Sequence, residues 1–135
     1  MGLFSKLFKK LFKKTTADVK FEKVAPQNAI KLENQNGAIE NCSSLDMEEY
    51  LQMMFDDGEQ FITLSVPSAR YGIRFVQACR VDKGIDVELG LEEDDHTKLI
   101  CKICSEEECR EIFHEFFHTA NVCDRKGYEP IQIEK

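Results

Sequence analysis

From Ile85 to Leu91 the chain alternates strictly: Ile85, Val87, Leu89 and Leu91 are apolar, and the residues between them, Asp86, Glu88 and Gly90, are not. Only an extended strand carries every second side chain on one side, so this stretch predicts a strand with its apolar set inward and Asp86, Glu88 and Gly90 outward. A strand cannot stand alone, and its partners are legible on either side. Phe61 to Val66 reads as a strand broken at Pro67-Ser68, and Tyr71 to Arg80 as a second, with Tyr71, Ile73, Phe75 and Cys79 on one face. Asp82-Lys83-Gly84 suits a short hairpin loop with glycine at the left-handed position. Thr97 to Ile103 supplies a fourth strand, on which Leu99, Cys101 and Ile103 share a face.

On both sides of this block the apolar period changes to that of a helix. Ser43 or Ser44 offers an N-cap with Asp46 and Glu48 in the first turn, and Met47, Tyr50, Leu51, Met54 and Phe55 follow at helical spacing. Gly58 is placed to end that helix. Ser105-Glu106-Glu107-Glu108 fits a capping box, and Cys109, Ile112, Phe113, Phe116, Phe117 and Ala120 form the buried stripe of a closing helix. The expected fold is therefore α+β: an antiparallel four-stranded meander packed on one face by two amphipathic helices. Asn36-Gly37 adds a hairpin, flanked by short strands from Ala29 to Glu33 and Ala38 to Asn41. Tyr128 to Ile131 reads as a short edge segment.

Charge divides the chain differently. Residues 1 to 14 hold five lysines (Lys6, Lys9, Lys10, Lys13 and Lys14) and no acid, which leaves 13 basic against 25 acidic side chains, about −12, on the remaining 121 residues. Residues 29 to 135 are expected to form one acidic domain, joined to the leader by a polar connector over 15 to 28. A body of this sign repels nucleic acid and is steered toward basic proteins. In the leader, Leu3, Phe4, Leu7, Phe8, Leu11 and Phe12 fill one half of a helical wheel and the lysines gather on the other, the pattern of a helix lying in a membrane interface. Reversible contact with an anionic membrane surface is one expectation for it. Docking of the same apolar half on its own domain or on a partner is the other. Gly2 does not make a myristoylation signal, because position 6 is Lys. No apolar run is long enough to span a bilayer.

Six cysteines, Cys42, Cys79, Cys101, Cys104, Cys109 and Cys123, invite a disulfide framework. The N-terminus lacks the features of a secretory signal, so reduced thiols in a cytoplasmic protein, peripheral at most on the inner face of the membrane, are expected instead. His114-Glu115-Phe116-Phe117-His118 matches the H-E-x-x-H pattern of zinc proteases letter for letter. The wheel puts His114 and His118 beside Glu107 and Glu111, away from the phenylalanines, on a face expected to meet water. Cys101, Cys104, Cys109 and His114 approach the spacing of a zinc knuckle, but Cys101 and Cys104 fall on opposite sides of a strand. The reading is of no metal and no cofactor. Cys109 and His114 lie on different sides of their helix, and no glycine-rich phosphate loop or nucleophile elbow exists, so a non-enzymatic role is expected.

Asp86, Glu88, Glu92, Glu93, Asp94 and Asp95 form the densest acidic cluster and are the candidate surface for a basic partner. Phe75-Val76-Gln77-Ala78, the strand at Ile85-Asp86-Val87-Glu88, and the closing helix with Ile112, Phe113 and Phe116 resemble the small immunity proteins of bacterial polymorphic toxin systems, over about residues 45 to 120. That resemblance implies a cytosolic α+β protein that blocks a cognate toxin by contact, many such toxins being basic nucleases. Only the acidic cluster carries over, and the cationic leader is no part of that pattern. An adaptor acting through the leader and an acidic secretion chaperone are the alternatives.

Overall fold

The computed structural model describes residues 30–131. The helix expected over 1–14, with all its candidate membrane-contact residues, and the connector over 15–28 lie outside the described residues. Seven strands form one antiparallel sheet: β1 (Lys31–Asn34), β2 (Gly37–Glu40), β3 (Phe61–Ser65), β4 (Ile73–Val81), β5 (Gly84–Glu93), β6 (His96–Cys104) and β7 (Glu129–Pro130). Helix α1 (Ser44–Asp56) intervenes between β2 and β3, and α2 (Glu106–Thr119) between β6 and β7. The sheet order is β2-β1-β3-β4-β5-β6-β7. The α+β class is as expected, but the sheet is larger than four strands. The Asn36-Gly37 hairpin is part of it, because β1 also pairs with β3, placing Leu32 opposite Leu64. Glu129 and Pro130 extend the other edge by pairing with β6.

The cross-strand register explains why the two helices lie where they do. Ile39, Leu32, Leu64, Val76, Leu89 and Ile100 stand opposite one another in a single apolar row across six strands. Met47, Leu51, Met54 and Phe55 of α1 and Cys109, Ile112, Phe113 and Phe116 of α2 join this row in one continuous core. The core residues Leu32, Met47, Leu51, Ile62, Leu64, Leu89, Phe113 and Phe116 are fully buried. Burying a side chain of this size contributes about 1.5–3 kcal/mol before the entropy of ordering it is counted.

Local chemistry sets the helix ends. Ser43 caps α1 reciprocally: its hydroxyl accepts from the Asp46 amide at 3.1 Å, and the Asp46 carboxylate accepts from the Ser43 amide at 3.0 Å. Gly58 does not terminate α1. The helix stops two residues earlier, at Asp56, because Asp57 turns extended and its carboxylate accepts from the Glu59 amide at 2.9 Å. In α2 the Ser105 hydroxyl accepts from the Glu108 amide at 3.0 Å, but Glu108 does not reach back to close the box. Its carboxylate instead receives the Lys102 ammonium at 2.6 Å.

One sequence expectation fails on β4. The register shifts between Ile73 and Phe75, and this bulge moves Ile73 to the helix side with Val76 and Ala78. Phe75, Gln77 and Cys79 are left on the opposite face, and Tyr71 is exposed. The bulge also puts the Phe75 ring over Gly90: a Cβ built on Gly90 would lie 2.0 Å from the tip of the ring. Gly90 is required for space rather than for backbone freedom, and it lets an aromatic ring lie flat on the sheet. Gly90→Ala should therefore cost about 1–3 kcal/mol in urea unfolding, the range for an overpacked core. Adding Phe75→Leu should recover part of the loss; an unchanged midpoint in the single variant would refute the close approach.

Candidate functional site

The face of the sheet opposite the helices is the unusual part of the molecule. Across it the register aligns Glu33, Thr63, Gln77, Glu88 and Cys101, with Glu129 at the edge. Beside this row stand Phe61, Cys79, Asp86 and Ile103 on one side and Lys31, Ser65, Phe75, Gly90 and Leu99 on the other. Neither helix contributes to the apolar cluster here, which consists of Phe75 and Leu99 with Ile131 against them. Yet Gln77, Asp86 and Glu88 have no exposed surface at all, and Thr63 is 4 % exposed.

Asp86 and Glu88 were expected to point outward, and they do point away from the helices, but they do not meet water. Alternation states only that two sides differ; it does not state that the polar side is wet. The missed signal lies on the neighbouring strand. Phe75, Val76, Ala78 and Cys79 are apolar at both parities, as suits a strand buried on both faces.

Polar satisfaction on this face is incomplete. The Thr63 hydroxyl donates to Gln77 Oε1 at 2.8 Å, which leaves Gln77 Nε2 without a partner. The carboxyls of Asp86 and Glu88 are likewise buried, with no hydrogen-bond partner other than each other. Such groups are rare in folded proteins, and each costs about 1–3 kcal/mol. Burial pushes both carboxyls above their ordinary values, and the neighbouring Asp86 adds to the rise at Glu88, which reaches about 9. Glu88 is thus a neutral acid at pH 7, able to donate a proton as well as accept one. The thiols at the same level follow: burial, then the charges of Asp86 and Glu88, push Cys79 up to about 12 and Cys101 to about 11.

The remaining predicted site residues are elsewhere. Glu92, Glu93, Asp94 and Asp95 are exposed at the tip of the β5–β6 hairpin, where Asp94 has a left-handed backbone with φ 48°. The six-residue acidic cluster is therefore two sets in opposite environments, one wet and one dry. Among the tip residues only Glu92 meets an arginine, Arg74 at 3.7 Å, while His96 lies 3.6 Å from Glu93 and 3.4 Å from Asp95.

Of the H-E-x-x-H residues, His114 joins the two helices, while His118 is exposed, as expected. His114 was expected in water but is half-buried at the seam between α1 and α2, because α1 packs along that flank. Its Nε2 meets the Glu48 carboxylate, which also accepts from Arg110 Nε at 3.1 Å. Burial raises the Glu48 carboxyl, but the hydrogen bonds from His114 and Arg110 outweigh it and hold the group below its ordinary value. The Arg110 guanidinium lies 5.1 Å over the Phe55 ring. His118 stacks on His114 at 6.1 Å, and Glu115 accepts from the Cys123 amide at 2.9 Å. Cys101 faces the polar row, whereas Cys104 and Cys109 lie in the helix-side core. Among the described residues no three His, Cys, Asp or Glu side chains converge as metal ligands. All six cysteines are free thiols.

Compared with known proteins, the chain matches no family model, no curated protein and no solved structure.

The raised Glu88 value has a consequence for stability. Between its ordinary 4.5 and its folded value of about 9, the folded state holds a proton that the unfolded chain releases. Stability is therefore greatest near pH 5 and falls as pH rises through this window, by up to about 1.4 kcal/mol per pH unit for one proton. Urea midpoints from pH 5 to 7.5, below the range where thiols titrate in the unfolded chain, should decline in the parent and much less in Glu88→Gln. A flat profile in the parent would refute a neutral Glu88.

Proposed function

We propose that this chain is a non-enzymatic binding protein that neutralises a basic protein partner by contact, as in the immunity proteins it resembles. The observation that carries this reading is the tip of the β5–β6 hairpin. Four consecutive acids, Glu92 to Asp95, are exposed there, at the end of two long strands. Charge at an exposed tip on a body of formal charge about −12 draws a basic protein over long range and orients its approach. A toxin whose own site is built for phosphate is the class of partner that such a tip fits. Asp86 and Glu88, being dry, take no part in the first encounter.

The exposed set gives a clean test, because its contacts, Glu92 with Arg74 and Glu93 and Asp95 with His96, are surface ion pairs that contribute little to the fold. The basic protein that co-purifies from the native host should associate about ten-fold or more slowly with a Glu92→Lys, Glu93→Lys, Asp94→Lys, Asp95→Lys variant at low salt. The parent's rate should fall with added salt while the variant's does not. Equal rates for the two proteins would remove the electrostatic reading.

A second reading is favoured by residues 3–14, whose Leu/Phe half and five lysines suit peripheral attachment to an anionic membrane. No described helix is long and apolar enough to cross a membrane. Sedimentation of the full chain with phosphatidylglycerol vesicles, abolished by Phe8→Asp, is the expected result. Failure of the parent to sediment with them would eliminate this role.

A further inference from the structure

At the end of the sheet away from the acidic tip, the β4–β5 hairpin borders a concavity of about 620 Å³. The turn around Lys83 lines it together with Gly58, just after α1, and Glu106, the first residue of α2. Gly84 brings these elements together. A Cβ on it would lie 2.7 Å from the Cys104 carbonyl oxygen, so only glycine lets the turn close against the chain that enters α2. On the other side the Arg80 guanidinium lies beside the Gly58 backbone, where a Cβ would come 3.4 Å from Nη2 and 3.7 Å from Nε. Its position is set by this contact and not by an acid.

The charges here are unusual for so acidic a body. Among the described residues the side chains of Arg80 and Lys83 have neither a hydrogen bond nor an ion pair. Arg74, Arg110 and Arg125, in contrast, all donate to carbonyl or carboxylate oxygens. Asp82 and Glu106 line the same space, yet neither neutralises either cation. We propose that the concavity binds a small phosphate compound, held by Arg80 and Lys83. A guanidinium and an ammonium with all their donors open match a doubly charged oxyanion, to which each makes charge-assisted bonds. The volume falls in the range of small-molecule sites, roughly 300–1,000 Å³.

The start of α2 adds to the same field. The Ser105 hydroxyl accepts from the Glu108 amide and its carbonyl from the Cys109 amide. The amides of Glu106 and Glu107 have no acceptor within the helix, and the helix end is partially positive. Asp82 and Glu106 act against an anion, as does the charge of the whole body, so a long polyanion is excluded and a compact one is not. The acidic tip has little influence: β5 runs ten residues from the concavity to Glu93, about 33 Å, several screening lengths away. This inference stands apart from the identity of any protein partner.

Backbone amide resonances of the full chain, titrated with inorganic phosphate against sodium chloride of equal ionic strength, test the site. Saturable shifts specific to phosphate are expected, largest at Gly58, Lys83, Gly84 and Glu106. Arg80→Gln and Lys83→Gln, both at exposed positions, should each weaken binding about ten-fold or more. Lys98→Gln removes an exposed cation of β6 outside the concavity and should leave binding unchanged. Glu106→Gln should tighten it, a gain that a damaged fold cannot produce. Absence of a saturable shift in the parent would overturn the proposal. So would an equal loss in Lys98→Gln, which would reduce the effect to net charge, or binding that Glu106→Gln leaves no tighter.

Discussion

Strands β4 and β5 are buried on both faces, and most of the molecule's character follows from that constraint. On one side the apolar row through Leu32, Leu64, Val76, Leu89 and Ile100 is closed by two helices whose stripes match it. On the other side the same strands present Gln77, Asp86 and Glu88 beside the row of Phe75, Gly90 and Leu99. Side chains alternate along a strand, so the second set cannot be moved to water without taking the first out of the core. The bulge between Ile73 and Phe75 and the missing side chain at Gly90 are adjustments within this arrangement. Together they let one large ring lie flat where the sheet would otherwise be too crowded.

Acid on this protein therefore comes in two kinds. At the hairpin tip, Glu92 to Asp95 are solvated and screened by salt, which suits them to attraction at a distance. In the dry row, Asp86 and Glu88 are pushed toward the neutral form and contribute little to the field outside. The net charge counts both alike. The dry pair acts instead through stability, because ionising it without a partner is costly.

The His114–His118 segment illustrates how far a motif falls short of a site. Five letters match a zinc protease, but chemistry depends on what the side chains meet. Here α1 runs along α2, and Glu48 takes up His114 while Arg110 bridges the same carboxylate and rests on Phe55. Glu115 ties down the backbone at Cys123. His114 and Arg110 thus tie α2 to α1 through Glu48.

Much of the fold is written locally. The period of Met47 to Phe55 and of Cys109 to Phe116, the Ser43 and Ser105 caps, the Asn36-Gly37 turn and the alternation at Ile85 to Leu91 each depend on neighbours a few residues away, and each can be read from the sequence alone. Three things were decided only when distant strands met. The hairpin's place in the sheet rests on the Leu32–Leu64 pairing. The split of Ile73 from Phe75 rests on a bulge that the β4–β5 register imposes. The dryness of Asp86 and Glu88 depends on what lies over the sheet. A strand's sequence fixes which residues share a side; whether that side meets water or protein is set by tertiary packing, since burial belongs to the assembled surface and not to any stretch of chain.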